Sequence, residues 1–474
     1  MTFAVIFLFP FGVSIYLDDG AAQYFLIGAG VSFVSGAILS LLCFPYRSTL
    51  RRREGILLVF LAWVSLSVVA SLPIYFAGQL VQENFTIAKA VFEGMSGLTT
   101  TGASVIMEVE SLAASVNLWR HSLLWFGGMG ILLLAVAILP LFNVGGRELM
   151  QSEMPGPLKD EKLTPRIAST AKVLYSIYFV MSILCLISYK LAGLSWFDAW
   201  CQAASTMALG GFSSFNQSFQ SIDSVAVEVV AIVFMLFAGI NFATHFKVFK
   251  YRSLRHYLYC PEALPFLKLV LGSGLLISAY LYFSNVYDSW FDAIRYGLFN
   301  TVSVATTTGF ANTDYLAWPF VLPVFMLALG SFSSSGGSTG GGIKLIRVLL
   351  VFRQLRVEVL RLLHPHGVFP VRFRQIVVSN SVLLSVMMFI GLYFMTIMVV
   401  FVLFSFGHAE EIDALSSAVA LVANIGPGLG NVGPMSNYAN LNDFQLWVGS
   451  IAMLVGRLEL LTVFVIFTPH FWRR

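Results

Sequence analysis

Residues 375–407 contain no charged side chain, and neither do 20–46, 55–82, 122–146, 269–287 or 315–343. A helix of about 20 apolar residues crosses a bilayer, and a longer one crosses at a tilt. Each of these six runs is long enough to span. Four more stretches, 1–17, 173–189, 229–244 and 444–468, are shorter or interrupted and also read as spans, which makes ten. Charged residues make up 11% of the 474-residue chain, against roughly a quarter in a soluble domain. Transmembrane strands would show weak alternation over about ten residues. These runs are continuous, so the fold class is an all-α polytopic membrane protein.

The first stretch lacks a basic start and a small-residue cleavage site, so it is read as a retained helix. Cysteines 43, 185, 201 and 260 have no paired spacing and suggest neither a disulfide framework nor a metal site. Threading the ten spans leaves all but five of the 28 basic residues on one side. The exceptions are Lys89, Arg120, Lys190, Arg295 and Arg457. Basic loops stay in the cytoplasm, so both termini are expected there. The net charge of +4 then reports topology and calls for no nucleic-acid partner.

The connections on the other side are long and only weakly polar. Residues 84–104, 195–215, 289–312 and 411–433 each hold an apolar segment too short to cross, then a glycine turn. Aligned on that glycine they read SGLTTTG, STMALGG, SVATTTG and ALVANIG, ending at Gly102, Gly211, Gly309 and Gly426. Six residues earlier stand Ser96, Ser205, Ser303 and Ala420. SWFDA occurs at both 195–199 and 289–293. The expected architecture is therefore four pseudo-symmetric helix–half-helix–helix repeats around one central pore, preceded by two extra transmembrane helices. The divisions are 1–50, 51–150, 151–262, 263–368 and 369–474.

Irregular backbone at membrane depth must line a cavity or lie within protein. Four such loops on one axis would make a narrow pore, and rings of backbone carbonyls can replace the water of a dehydrated cation. Half-helices ending near that axis favour a cation there through their C-terminal partial charge. Asp198, Asp292 and Asp413 open three half-helices, where acidic caps are common.

SFSSSGGSTGGG, residues 331–342, interrupts the run 315–343 with five glycines and five serines. Each mid-helix glycine costs about 1 kcal/mol relative to alanine, so a continuous helix is excluded. Lys344 is followed by Leu345, so the phosphate-cradling Lys-Ser/Thr pattern is absent. The segment reads as an intramembrane loop beneath the glycine turns. Arg457 falls inside the last span, where a charge costs about 2.5–3.5 kcal/mol. It either pairs with protein groups to hold the bundle or faces the pathway. Lys344 either adds to that positive barrier or is an ordinary lysine at the cytoplasmic end. No nucleophile–base set or paired carboxylates can be argued, so no enzyme is expected.

The loops TTTGAS, LGGFSS, TTTGFAN and NIGPGLGNVGP resemble those of the TrkH/KtrB/HKT superfamily of cation transporters. DDGAAQ at 18–23 and the two leading helices are similar to the TrkH/TrkG branch. The resemblance covers essentially the whole chain. It implies potassium uptake through a selectivity filter made by Thr100, Thr101, Gly102, Leu209, Gly210, Gly211, Thr307, Thr308, Gly309, Asn424, Ile425 and Gly426. It implies a gate at Gly336, Gly337, Ser338, Thr339, Gly340, Gly341 and Gly342, with Lys344 and a pore-facing Arg457. It further implies a homodimer in the lipid of a bacterial inner membrane, a cytosolic TrkA-like nucleotide-binding ring, and no organic cofactor. Proton- or sodium-coupled symport by the same fold is the alternative; no intramembrane carboxylate relay is evident.

Overall fold

The computed structural model describes residues 1–44, 51–137, 163–373, 376–407 and 409–473. Of the basic residues used to orient the chain, Arg47, Arg147, Lys159, Lys162, Arg374 and Arg474 lie outside the described residues, as do the ends of the runs 20–46 and 122–146.

Short helices Thr2–Ile6 and Leu8–Leu17 and the long helix Ala22–Cys43 come first. Four units follow, each with a leading, a short and a trailing helix. The leading helices are Arg52–Val81, Leu163–Leu191, Ala263–Phe283 and Asn380–Phe406. The short ones are Ile87–Leu98, Trp196–Ala208, Trp290–Ala305 and Glu411–Ala423. The trailing ones are Ala114–Ala137, Val225–Gly239, Val321–Gly330 and Asp443–Arg457. A two-residue hairpin pairs Arg372–Phe373 with Ile376–Val377.

Length decides which helices meet lipid. A helix rises 1.5 Å per residue, so the 12 residues of Ile87–Leu98 reach only about 18 Å. The short helices therefore sit among the long ones, and in the first of them Ala88 and Ala90–Leu98 are all buried. The leading helices keep large apolar side chains outside, including Leu384, Met388, Phe394, Met395 and Met398 on the fourth. In water such a face would be a liability; against acyl chains it is matched to its solvent.

Of the ten expected spans, five are unbroken apolar helices: Ala22–Cys43, Arg53–Val81, Thr170–Leu191, Ala263–Phe283 and Asn380–Phe406. Two are bent pairs: Val225–Gly239 turns 95° into Phe242–Tyr251, and Asp443–Arg457 turns 112° into Leu460–Ile466. The run 315–343 keeps only Val321–Gly330 before the Gly/Ser segment, and the chain resumes as Leu345–Leu363. Two helices start earlier than the uncharged runs suggest, at Ala114 and Ala263. Lys268 thus sits on a helix and not in a connection, with its side chain exposed.

Arg120 can lie inside a buried helix because Glu93 meets it at 2.5 Å, with both side chains almost fully enclosed. Asn117 and Ser104 take two more guanidinium bonds at 3.1 Å, and the Phe212 ring lies 4.4 Å beneath. Removing one partner of a buried pair strands the other charge, at about 3–5 kcal/mol. Arg120→Met should therefore lower the thermal-inactivation midpoint of the detergent-solubilised protein sharply. Adding Glu93→Gln to it should recover much of the loss. Equal midpoints for Arg120→Met and the parent would refute this role.

Candidate functional site

Three of the four short helices are capped by a hydroxyl. Thr86, Ser195 and Ser289 accept the amides of Lys89, Asp198 and Phe291 at 3.3, 3.0 and 3.1 Å. The sequence reading placed acids at these starts; they stand instead in the first turn. Asp198 takes the Ser214 hydroxyl at 2.8 Å, and Asp413 takes the Asn431 amide and side chain at 2.9 Å. Two of these acids therefore fasten the loops beyond the glycines.

All four short helices stop the same way. The residue two before the glycine is left-handed in every unit: Thr100, Leu209, Thr307 and Asn424 have φ of 52°, 53°, 61° and 54°. The next amide turns back onto the helix, Thr101 to Ser96, Gly210 to Ser205, Thr308 to Ser303 and Ile425 to Ala420, at 2.8–3.0 Å. This is the Schellman termination, whose left-handed residue is usually glycine. A β-branched threonine there carries a strain of order 1–3 kcal/mol. In the two threonine-rich loops a hydroxyl pair supports it, Thr99 with Thr101 at 2.8 Å and Thr306 with Thr308 at 2.7 Å.

The four glycines then close a ring. Gly102, Gly211, Gly309 and Gly426 all have positive φ, from 72° to 100°. A Cβ on Gly102 would lie 1.8 Å from the Gly210 carbonyl oxygen, and one on Gly211 would lie 2.1 Å from that of Thr308. On Gly309 it would lie 2.4 Å from the Ile425 oxygen, and on Gly426 2.7 Å from the Thr101 oxygen. Each unit's glycine thus sits against the carbonyl preceding the next unit's glycine, in chain order, and the fourth returns to the first. The twelve residues expected to act together are brought together. Above the ring is a vestibule lined by all four glycines with Arg120, Phe212 and Tyr438 among its walls.

Nine residues before each glycine is a buried polar side chain that sequence reading overlooked: Glu93, Gln202, Asn300 and Ser417. Three of them hold the descending loop. Glu93 accepts the Val105 amide at 2.9 Å, Gln202 donates to Ser213 at 2.9 Å, and Asn300 donates to Asn312 at 2.6 Å. The signal available was a polar residue at constant spacing inside apolar segments. The serines six before the glycine do less: Ser303 donates to the Phe310 carbonyl at 2.6 Å, while the hydroxyls of Ser96 and Ser205 are buried without a bonded partner.

The Gly/Ser loop lies directly beneath. Ser333 donates to the Ala305 carbonyl, Thr339 to that of Met207 at 3.0 Å, and the Gly341 amide to the Thr307 hydroxyl at 2.7 Å. A Cβ on Gly341 would lie 2.1 Å from the Ala423 oxygen. The loop therefore touches the ends of three short helices at once. The Gly336 amide reaches the Glu262 carboxylate at 2.5 Å, and the Gly337 carbonyl takes the Phe242 amide at 3.1 Å. Ser338 bonds the Ser335 carbonyl at 2.7 Å, and a Cβ on Gly342 would lie 2.6 Å from the Ser331 oxygen. Lys344 donates to the Gly340 carbonyl at 2.6 Å, and Arg457 donates to that of Thr339. Arg457 is the last residue of its helix, at the 112° bend. Glu459 points away from it and pairs with Arg347 at 2.7 Å. A cavity below the ring is bounded by Gly340, Lys344, Tyr393 and Arg457.

Comparison with known proteins agrees with this fold. The family described as TrkH, cation transport protein, matches residues 21–279 and 282–474. The chain is 38% identical to the Trk system potassium uptake protein TrkH of Halomonas elongata, over 100% of this chain and 97% of that protein. It is 39% identical to the protein of the same name from Escherichia coli K12, over 98% and 95%. It superposes on the crystal structure of the potassium transporter TrkH from Vibrio parahaemolyticus with a TM-score of 0.91 at 36% identity, covering 100% of this chain and 97% of that one.

Overpacking a tight site costs about 1–3 kcal/mol, and here the displaced atoms are backbone. Gly102→Ala should lower the thermal-inactivation midpoint of the purified protein. Gly391→Ala should not, since nothing lies within 4 Å of its added methyl. Equal midpoints for the two variants would show that the ring is looser than its contacts indicate.

Proposed function

The chain belongs to the TrkH family of cation transport proteins, and from that premise we propose that it takes up potassium through a gated, channel-like pore on the axis of the four loops. The observation that carries the proposal is the ring in which each glycine abuts the next unit's carbonyl. Oxygens so arranged can replace the hydration shell of a cation. The filter is formed by the carbonyls of Thr100, Thr101 and Gly102 with Leu209, Gly210 and Gly211, and of Thr307, Thr308 and Gly309 with Asn424, Ile425 and Gly426. Glycine at all four ring positions keeps side chains out of it and favours potassium. The short helices end beneath the ring, and their C-terminal partial charge favours a cation there. An inside-negative potential drives entry with about 2.3 kcal/mol per charge per 100 mV.

Residues 336–342 are the gate, held under the filter by bonds to three units. Arg457 and Lys344 place fixed positive charge against it and oppose a resting cation. Among the described residues the buried carboxylates are each engaged: Glu93 by Arg120, Glu228 by Arg295 at 2.8 Å, Glu262 by the Gly336 amide, and Asp413 by Asn431 at 2.9 Å. That arrangement supports passage down the gradient over proton-coupled symport. The protein works as a multi-pass bacterial inner-membrane homodimer and not as an enzyme. Its Lys/Arg-rich side and both termini face the cytoplasm, where a TrkA-like nucleotide-binding ring controls opening. The divisions 51–150, 151–262, 263–368 and 369–474 are its four repeats.

Flux into liposomes containing the purified protein tests this, with potassium, sodium and a proton ionophore varied independently. Potassium entry without a coupling ion is expected; strict dependence on sodium or a proton gradient would replace the channel reading with symport. Gly309→Ser should erode selectivity for potassium over sodium, and unchanged selectivity would move the filter elsewhere. Deleting 336–342 or making Arg457→Ala should raise flux in the absence of any soluble partner. Flux at or below the parent's in both would remove the gate from this loop.

A further inference from the structure

Two of the bonds on the Gly/Ser loop come from the ends of one segment. The Phe242 amide holds the Gly337 carbonyl at 3.1 Å, and Glu262 holds the Gly336 amide at 2.5 Å. Between them run the helices Phe242–Tyr251 and Arg255–Tyr259. His245 makes this segment one body: its ring nitrogens face the Phe237 carbonyl at 2.9 Å and the Tyr257 hydroxyl at 2.8 Å. Thr244 adds a contact to the Cys260 sulfur at 3.3 Å. A shift of the segment is therefore felt by the loop.

The segment leaves the span Val225–Gly239 at 95°, so the chain turns out of the crossing direction toward the plane of the surface. There it exposes Phe249, Tyr251, Leu254, Leu258 and Tyr259. Lys250, Arg252 and Arg255 are exposed beside them, and Lys247 is half-buried. No acidic residue occurs between Glu228 and Glu262. Aromatic and basic side chains mixed on one helix suit the headgroup zone, and uncompensated positive charge selects anionic lipid.

We propose that residues 242–259 are an interfacial arm seated on anionic phospholipid headgroups of the adjoining leaflet, and that this seating keeps the Gly/Ser loop in place. The proposal rests on the reading of that loop as the gate. Loss of the headgroups frees the arm, weakens its two bonds to the loop, and raises basal flux.

Two readouts on full-length protein in liposomes test it, with no soluble partner present. The first is quenching by brominated lipid of a fluorophore on Tyr259→Cys, in a Cys43→Ser background. The second is basal potassium flux. Adding phosphatidylglycerol to phosphatidylcholine vesicles should increase the quenching. It should lower basal flux about fivefold, equivalent to about 1 kcal/mol, one net hydrogen bond. High salt should reverse both effects. Combining Lys247→Gln, Lys250→Gln, Arg252→Gln and Arg255→Gln should abolish the response to phosphatidylglycerol in both. Quenching indifferent to lipid charge would overturn the headgroup site. Quenching that responds while flux does not would overturn the coupling. Shielding of position 259 from lipid, with cross-linking to a second copy, would assign the face to another chain. The gate reading fails separately, if deletion of 336–342 leaves flux unchanged, and the quenching still judges the arm.

Discussion

Everything in this fold is arranged to bring four glycines against four neighbouring carbonyls. The contacts run from Gly102 to Gly210, Gly211 to Thr308, Gly309 to Ile425 and Gly426 back to Thr101. No unit can complete such a ring alone, so the units must pack in chain order about one axis. The loops that meet there carry backbone polar groups at membrane depth, and those groups need partners. Glu93, which accepts the Val105 amide at 2.9 Å, the Schellman turns and Tyr438, which donates to the Gly426 carbonyl at 2.8 Å, supply them. The long helices in turn screen this polar centre from lipid.

Close approach is repeated one layer out. A Cβ on Gly127 would lie 2.1 Å from the Leu98 oxygen, on Gly330 2.5 Å from that of Val304, and on Gly456 2.0 Å from that of Val422. Three trailing helices therefore use glycine to touch the end of their short helix. Below this level the symmetry stops. The first trailing helix is unbroken from Ala114 to Ala137, the second and fourth bend, and the third dissolves into the Gly/Ser loop. In the third unit the trailing helix gives way to a segment without helical structure, and that segment bonds to the second, third and fourth units. Arg347, on the helix after the loop, pairs with Glu459 and lies 3.9 Å from the Phe389 ring. Movement of the loop is thereby tied to the fourth unit at Thr339 and just beyond its C-terminal end.

Much of this was legible in the sequence. The uncharged runs reported the long helices, and glycine alignment reported the four loops, because both signals are local and repeat. The break at 331–342 was legible because five glycines cannot stay helical. The 95° bend after Gly239 was not, since Ile240 and Asn241 differ little from other span ends. Arg120 marked a helix start too late because its partner, Glu93, lies 27 residues away and is known only from packing. The end of the fourth trailing helix at Arg457 was hidden for the same reason, since its bond goes to Thr339, 118 residues earlier.

The repeated Thr-Thr-Thr-Gly now has a physical reading. The middle threonine takes the strained left-handed turn, and the hydroxyls on either side bond to each other behind it. Units two and four lack that pair. Thr206 bonds the Tyr189 hydroxyl at 2.7 Å instead, and Asn424 reaches across to Thr101 at 2.8 Å. The backbone is nonetheless the same in all four, down to the amide before the glycine donating to the carbonyl five residues earlier. A ring made of main-chain atoms sets conditions on conformation and on the absence of a Cβ, and on little else. Side chains behind it were free to diverge, provided each set could stabilise the same turn.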